Sequence, residues 1–221
     1  MGLLEALRRK EPVLPLDLSL VYDRTIVDEP DSRNAIQHQN LARAIRDYQS
    51  PENPRKREEV FVFEEERRRQ PDYYLPVYWV ARSFMDKKNY GAAVEVLREG
   101  IAKCKIKGVL CRLLGQCYFG LGDLEKSIYW FCTAIMAGED KDYHSHLYLG
   151  YMYEALGMKE ASWWIRRRAR GISYVTIGIA MEYDPRSIDV IEQFAREHRT
   201  ERAVQMLETF YRYAEKKLGY L

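Results

Sequence analysis

The chain lacks the short motifs that mark most enzyme classes. It has no glycine-rich phosphate loop, no GxSxG elbow and no HExxH pair. Cysteine is scarce: Cys104, Cys111, Cys117 and Cys132 form no CxxC pair, and no paired histidine spacing accompanies them. Reduced core thiols in a cytoplasmic protein are therefore expected, rather than a zinc site. His144 and His146 are two apart and point to different faces of a helix, so they do not share a metal. Neither a metal nor a cofactor is expected. Eight prolines and 13 glycines are too few for a fibrous or proline-rich linker protein. The longest apolar stretch, near Ile172 to Met181, is about half of what a bilayer crossing needs. The N-terminus places its apolar residues before its basic ones, so no processed leader is expected. Charge of one sign is also missing. Lys+Arg 35 against Asp+Glu 33 leaves +2, which by itself does not point to nucleic acid.

What is present is helical periodicity. Residues 1–34 form the exception: Leu14, Leu16, Leu18, Leu20 and Tyr22 alternate with other residues and predict an extended arm lying on a surface. From Asp31 to Gln49, Ile36, Leu41, Ala44, Ile45 and Tyr48 keep a helical stripe. A charged helix is expected from about Arg55 to Arg69, with Val60, Phe61 and Phe63 as its apolar face and Pro71 ending it.

From Asp72 the sequence repeats itself. Val80-Ala81-Arg82-Ser83-Phe84, Leu114-Gly115-Gln116-Cys117-Tyr118 and Leu149-Gly150-Tyr151-Met152-Tyr153 share one pattern: an apolar residue, a small residue, and an aromatic three further on. The small residues are separated by 34 and then 35 positions. Each segment runs into a turn, at Lys88-Asn89-Tyr90, Leu121-Gly122-Asp123-Leu124 and Leu156-Gly157-Met158, and then into a second helix with its own small residue. Small side chains let paired helices approach closely, and large ones fill the space beside them.

A period of this length with two helices per unit resembles the tetratricopeptide repeat family over residues 75–171. Ala81, Gly115 and Gly150 match its small residues in the first helix. Ala93, Ser127 and Ala161 or Ser162 match those in the second. In the third unit, Ile165, Ala169 and Ile172 make a good core stripe only if the turn is one residue short. Ser187 to His198 and Glu201 to Leu218 read as a degenerate final pair. The expected protein is all-α: a short solenoid of tetratricopeptide-type hairpins with helical caps and an N-terminal arm. Its parts are the arm (1–34), capping helices (35–71), three repeats (72–171) and a C-terminal helical hairpin cap (172–221).

The resemblance implies that the first helix of each hairpin lines a concave groove. The matching positions are Tyr78, Arg82 and Met85, then Arg112, Gln116 and Phe119, then His144, Leu147, Tyr151 and Glu154. Such a trough suits a peptide or amphipathic helix of a protein partner. Repeat domains that clamp acidic chaperone tails use a Lys/Asn/Asn/Lys/Arg set. Tyr78, Arg82, Leu113, His144 and Tyr148 stand at those places here, so that function is not expected. A non-enzymatic adaptor or scaffold is expected, with Tyr78, Arg82, Phe119 and Tyr151 as anchors. A secretion-type chaperone or a structural subunit is an alternative, and so is a nucleic-acid-associated repeat. Two arginine runs stand out, Arg67-Arg68-Arg69, and Arg166-Arg167-Arg168 with Arg170, and the last alternative uses the second. The second follows Trp163-Trp164, and arginine beside aromatics contacts phosphates and stacks on bases.

Overall fold

The computed structural model describes residues 35–54, 56–137, 143–177 and 185–218. The N-terminal arm and the stretch 178–184 lie outside them. The described residues are all-helical. In chain order the helices are α1 (Ala35–Gln49), α2 (Lys56–Arg69), α3 (Tyr74–Asp86), α4 (Tyr90–Lys103), α5 (Gly108–Gly120), α6 (Leu124–Met136), α7 (Tyr143–Ala155), α8 (Lys159–Ile177), α9 (Pro185–Glu197) and α10 (Glu201–Tyr213). A π-helical turn, Ala214–Leu218, follows α10.

Helices α1 to α8 pack in order, each on the next, as a helical repeat solenoid requires. The three central hairpins are α3/α4, α5/α6 and α7/α8. Their first helices start at Tyr74, Gly108 and Tyr143, which reproduces the sequence period. Each hairpin turn has three residues and one geometry. Lys88, Gly122 and Gly157 hold the positive-φ position, at 57°, 81° and 86°. The next amide in each turn donates five residues back: Asn89 to Phe84 O at 2.9 Å, Asp123 to Tyr118 O at 2.9 Å, and Met158 to Tyr153 O at 2.9 Å. These bonds close the first helix of each hairpin. In the first two turns the same residue also opens the second helix. The Asn89 side chain accepts from the Ala92 amide at 3.3 Å, and that of Asp123 from the Lys126 amide at 3.0 Å. The third turn is therefore not short. Ile165 and Ala169 reach the core with the same loop length as their counterparts.

Close approach sets the spacing inside each hairpin. A Cβ on Gly115 would lie 2.8 Å from the Phe131 ring. Ser127 reinforces this contact by donating to the Gly115 carbonyl at 3.0 Å. At the N-terminal end Tyr48, Phe63 and Trp79 form an aromatic cluster with centroids 5.7–6.0 Å apart. The Tyr48 hydroxyl donates to Asp86 at 2.8 Å and ties α1 to the end of α3. Phe61 does not join the expected apolar face of α2. It is 75% exposed, while Phe63 is buried.

The final pair does not stack on α8. Helix α9 packs on α7, and α10 returns to α6. The Tyr153 hydroxyl donates to the Leu207 carbonyl at 2.6 Å, and the Thr200 hydroxyl donates to Glu125 at 2.7 Å. Ile191, Phe194, Ala195, Ala203, Met206, Leu207 and Phe210 are buried in one cluster with α6, α7 and α8.

Two outcomes are expected for stability. Gly115→Ala should lower unfolding free energy by about 1–3 kcal/mol in urea denaturation, because the added methyl overpacks against Phe131. A loss below about 0.5 kcal/mol would refute the close-packing account. All four cysteines are buried and free. Burial pushes the Cys117 thiol from its ordinary 9.0 up to about 12, and raises Cys132 as well. In the unfolded chain these thiols lose their protons first, near their ordinary value. Above that pH the unfolded state binds fewer protons, so stability should fall as pH rises from 9.0 towards about 12. Cys117→Ala should make that fall shallower. An equally steep profile in the variant would remove Cys117 as its source.

Candidate functional site

The residues of the expected groove do not form one open trough. Phe119 meets Phe194 of α9 edge to face, with centroids 4.5 Å apart. Leu147 also packs against the cluster that contains Ile191 and Phe194. The protein's own α9 thus covers the middle of the trough. Tyr78 is half-buried and meets the Trp79 ring at 5.2 Å. Arg82 is exposed but paired with Asp86 at 3.1 Å, and Met85 is half-buried. Arg112 and Gln116 are half-buried on α5, and the Gln116 Oε1 accepts no hydrogen bond from the described residues. His144 packs beside Tyr143 at 4.0 Å. Tyr151 is only 6% exposed.

The two arginine runs meet different fates. On α2, Arg67 bonds to Glu64 at 3.1 Å and to Glu99 of α4 at 2.9 Å, and Arg69 bonds to Glu65 and Glu66. Lys103 also reaches Glu99, at 2.7 Å. These cations hold the Glu99 carboxyl below its ordinary range. A cleft of about 340 Å³ lies here, but Arg67 and Lys103 in its wall are bonded to Glu99.

On α8, Arg167 and Arg170 carry no ion pair among the described residues, and Arg166 is held in an unusual way. The reason starts at Gly150. The aliphatic stem of Arg166 lies directly over this glycine, closer than any Cβ would permit. Arg166 stands sixteen residues after Gly150, as Phe131 stands after Gly115 and Leu97 after Ala81. Leu97 and Phe131 are fully buried. An arginine therefore occupies the third copy of a core position, with its side chain 31% exposed. Its guanidinium lies 4.7 Å from the centre of the Tyr151 ring and 3.9 Å from a Glu154 oxygen. Arg167 lies 5.1 Å from the Trp163 ring and 5.7 Å from that of Trp164, and the two indoles meet at 4.6 Å. Such contacts hold the guanidinium planes without neutralising them.

Glu154, Lys159, Trp163, Arg166, Arg167 and Arg170 enclose a cleft of about 400 Å³. It carries four cations and one carboxylate. Lys159, Arg167 and Arg170 form no ion pair among the described residues. Trp163 is 53% exposed. The structure thus joins Glu154, and Tyr151 beneath it, with the tryptophan–arginine surface. In the sequence these residues fall in two separate candidate sites. Counting sixteen residues on from each small residue would have shown the connection.

Among the described residues, no group of three or more His, Cys, Asp or Glu side chains is placed to hold a metal ion. None of their helices is long and apolar enough to cross a membrane. No family model, curated protein or solved structure matches the chain.

The arginine at a core position generates a prediction. Arg166→Leu restores the residue type of Leu97 and removes one charge from a cluster of like sign. The variant should be as stable as the parent or more stable, by up to about 1 kcal/mol in urea denaturation. A loss greater than about 1 kcal/mol would mean that the Tyr151 and Glu154 contacts outweigh burial of an apolar side chain there.

Proposed function

We propose that the protein is a non-enzymatic adaptor or scaffold of the tetratricopeptide type, acting in the cytoplasm, which captures a segment of a protein partner. Its three helix–turn–helix units at 34- and 35-residue spacing support the repeat type. The observation that carries the binding role is the α7/α8 cleft, where unpaired cations flank a half-exposed tryptophan. Tryptophan and arginine are the residues that most often anchor protein interfaces. The trough around Phe119 and Leu147 is occupied by α9, so capture is assigned to the cleft rather than to the middle of the trough.

A nucleic-acid reading draws on the same residues, because Arg167 and Trp163 could hold a phosphate and a base. The charge balance speaks against it: the chain totals only +2, and among the described residues carboxylates bind Arg67 and Arg69 of the first arginine run.

A photocrosslinking residue placed at Trp163, at Arg82 or at Phe61 in separate variants tests the reading in native extract. Protein adducts are expected mainly from position 163, and nuclease treatment should leave them unchanged. Equal adducts from all three positions, or adducts lost on nuclease treatment, would overturn it.

A further inference from the structure

The α8 cations are arranged in a line. Lys159, Trp163, Arg166, Arg167 and Arg170 follow one another at steps of four, three, one and three residues, which keeps them on one side of a helix. From Lys159 to Arg170 the helix rises about 16 Å, at about 1.5 Å per residue. An extended peptide covers that distance with about five residues, at about 3.3 Å each. A single phosphoryl group needs a compact cluster of donors, whereas this line offers successive cations with an apolar plate among them. Three of the cations lack an ion-pair partner among the described residues, and the one carboxylate, Glu154, reaches only Arg166 and only at 3.9 Å.

Two further contacts build the surface. Arg166 is pinned between Gly150 and the Tyr151 ring, and Arg167 is held against Trp163 and Trp164. Guanidinium groups held in this way lose little freedom when they take up a carboxylate, which lowers the entropic cost of binding.

We infer that the α7/α8 cleft is a docking site for an acidic segment of a partner protein, in which carboxylates pair with Lys159, Arg167 and Arg170 and an aliphatic side chain covers Trp163. The inference rests on the capture reading given above and specifies its ligand. Charge complementarity identifies the occupant. The cleft has three positive charges in excess, on a chain whose total is +2. The half-exposed indole among them favours a peptide with an apolar residue between its acids.

The test is fluorescence polarisation of the full chain with three labelled probes. The first is a ten-residue peptide of glutamate and aspartate with a central leucine pair. The second is its glutamine and asparagine counterpart, and the third is a ten-nucleotide single-stranded DNA. The acidic peptide should bind, and its counterpart should not. Arg167→Gln with Arg170→Gln should weaken binding at least about tenfold. Both side chains are exposed, so the fold is kept, and circular dichroism checks this. Glu154→Gln should tighten binding about threefold, by removing the one repelling charge. A gain of this kind cannot arise from a damaged fold. Three results would each overturn the inference: no binding of the acidic peptide, equal binding of the amide counterpart, or unchanged binding by the double variant. Tighter binding of the DNA would assign the cleft to nucleic acid instead. If crosslinks at position 163 persist while the acidic peptide fails to bind, capture at this face stands and only its acidic specificity falls. Loss of both removes both readings.

Discussion

One contact recurs through the array and the rest is built around it: a small residue in the first helix of a hairpin under a side chain sixteen positions later. Gly115 under Phe131 is an apolar version. The separation of the two helices follows from this contact, because a larger residue at either place drives them apart. The three-residue turn then has a fixed gap to close, and all three hairpins close it with one residue at positive φ. Gly122 and Gly157 adopt that conformation without strain. Lys88 adopts it with a side chain, which shows that the gap overrides the local preference of the residue filling it.

This dependence explains which parts of the fold could be read from the sequence. The hairpins were readable because their small residues and turns recur with the period, and the starts of the helices follow it. The register of the third second-helix was not, because the expected apolar residue at its key position is Arg166. Hydrophobic pattern alone then favoured a shorter turn. Helix α2 misled in another way. Val60-Phe61-Val62-Phe63 places four apolar residues in a row, and a helix packed on one side cannot bury all four. Phe63 faces Tyr48 and Trp79, and Phe61 is left outside.

The candidate site was readable as residues but not as a place. A stripe such as Ile188, Ile191, Phe194 and Ala195 states that α9 buries one face, but not against what. Only the folded chain shows that it lies on α7 and reaches Phe119, which closes part of the expected trough. In the same way, composition cannot separate the two arginine runs. Arg67 has Glu64 three residues before it and Glu99 from α4, and Arg69 has Glu66 and Glu65 three and four residues before it. Arg167 has indoles at those spacings instead. Arg67 and Arg69 are consumed by carboxylates, whereas Arg167 is left available.

At α7/α8 the chain therefore departs from the structural rule of its other hairpins. The position of Leu97 and Phe131 contributes most to a hairpin when it is apolar and buried. In the third hairpin it carries a charge beside three other cations, and Ser162 lacks the bond to the facing carbonyl that Ser127 makes in the second. Both changes weaken the hairpin that forms the cleft, and neither is required by the turn or the helix period, which are unchanged. Burial by α9 and α10 offsets the weakness: Tyr153 of α7 bonds to Leu207 of α10, and Phe194 of α9 meets Phe119 of α5. The C-terminal pair and the arginine cleft are two consequences of one arrangement: the last hairpin gives up part of its internal core to hold cations at its surface, and the returning helices supply the packing that it lacks.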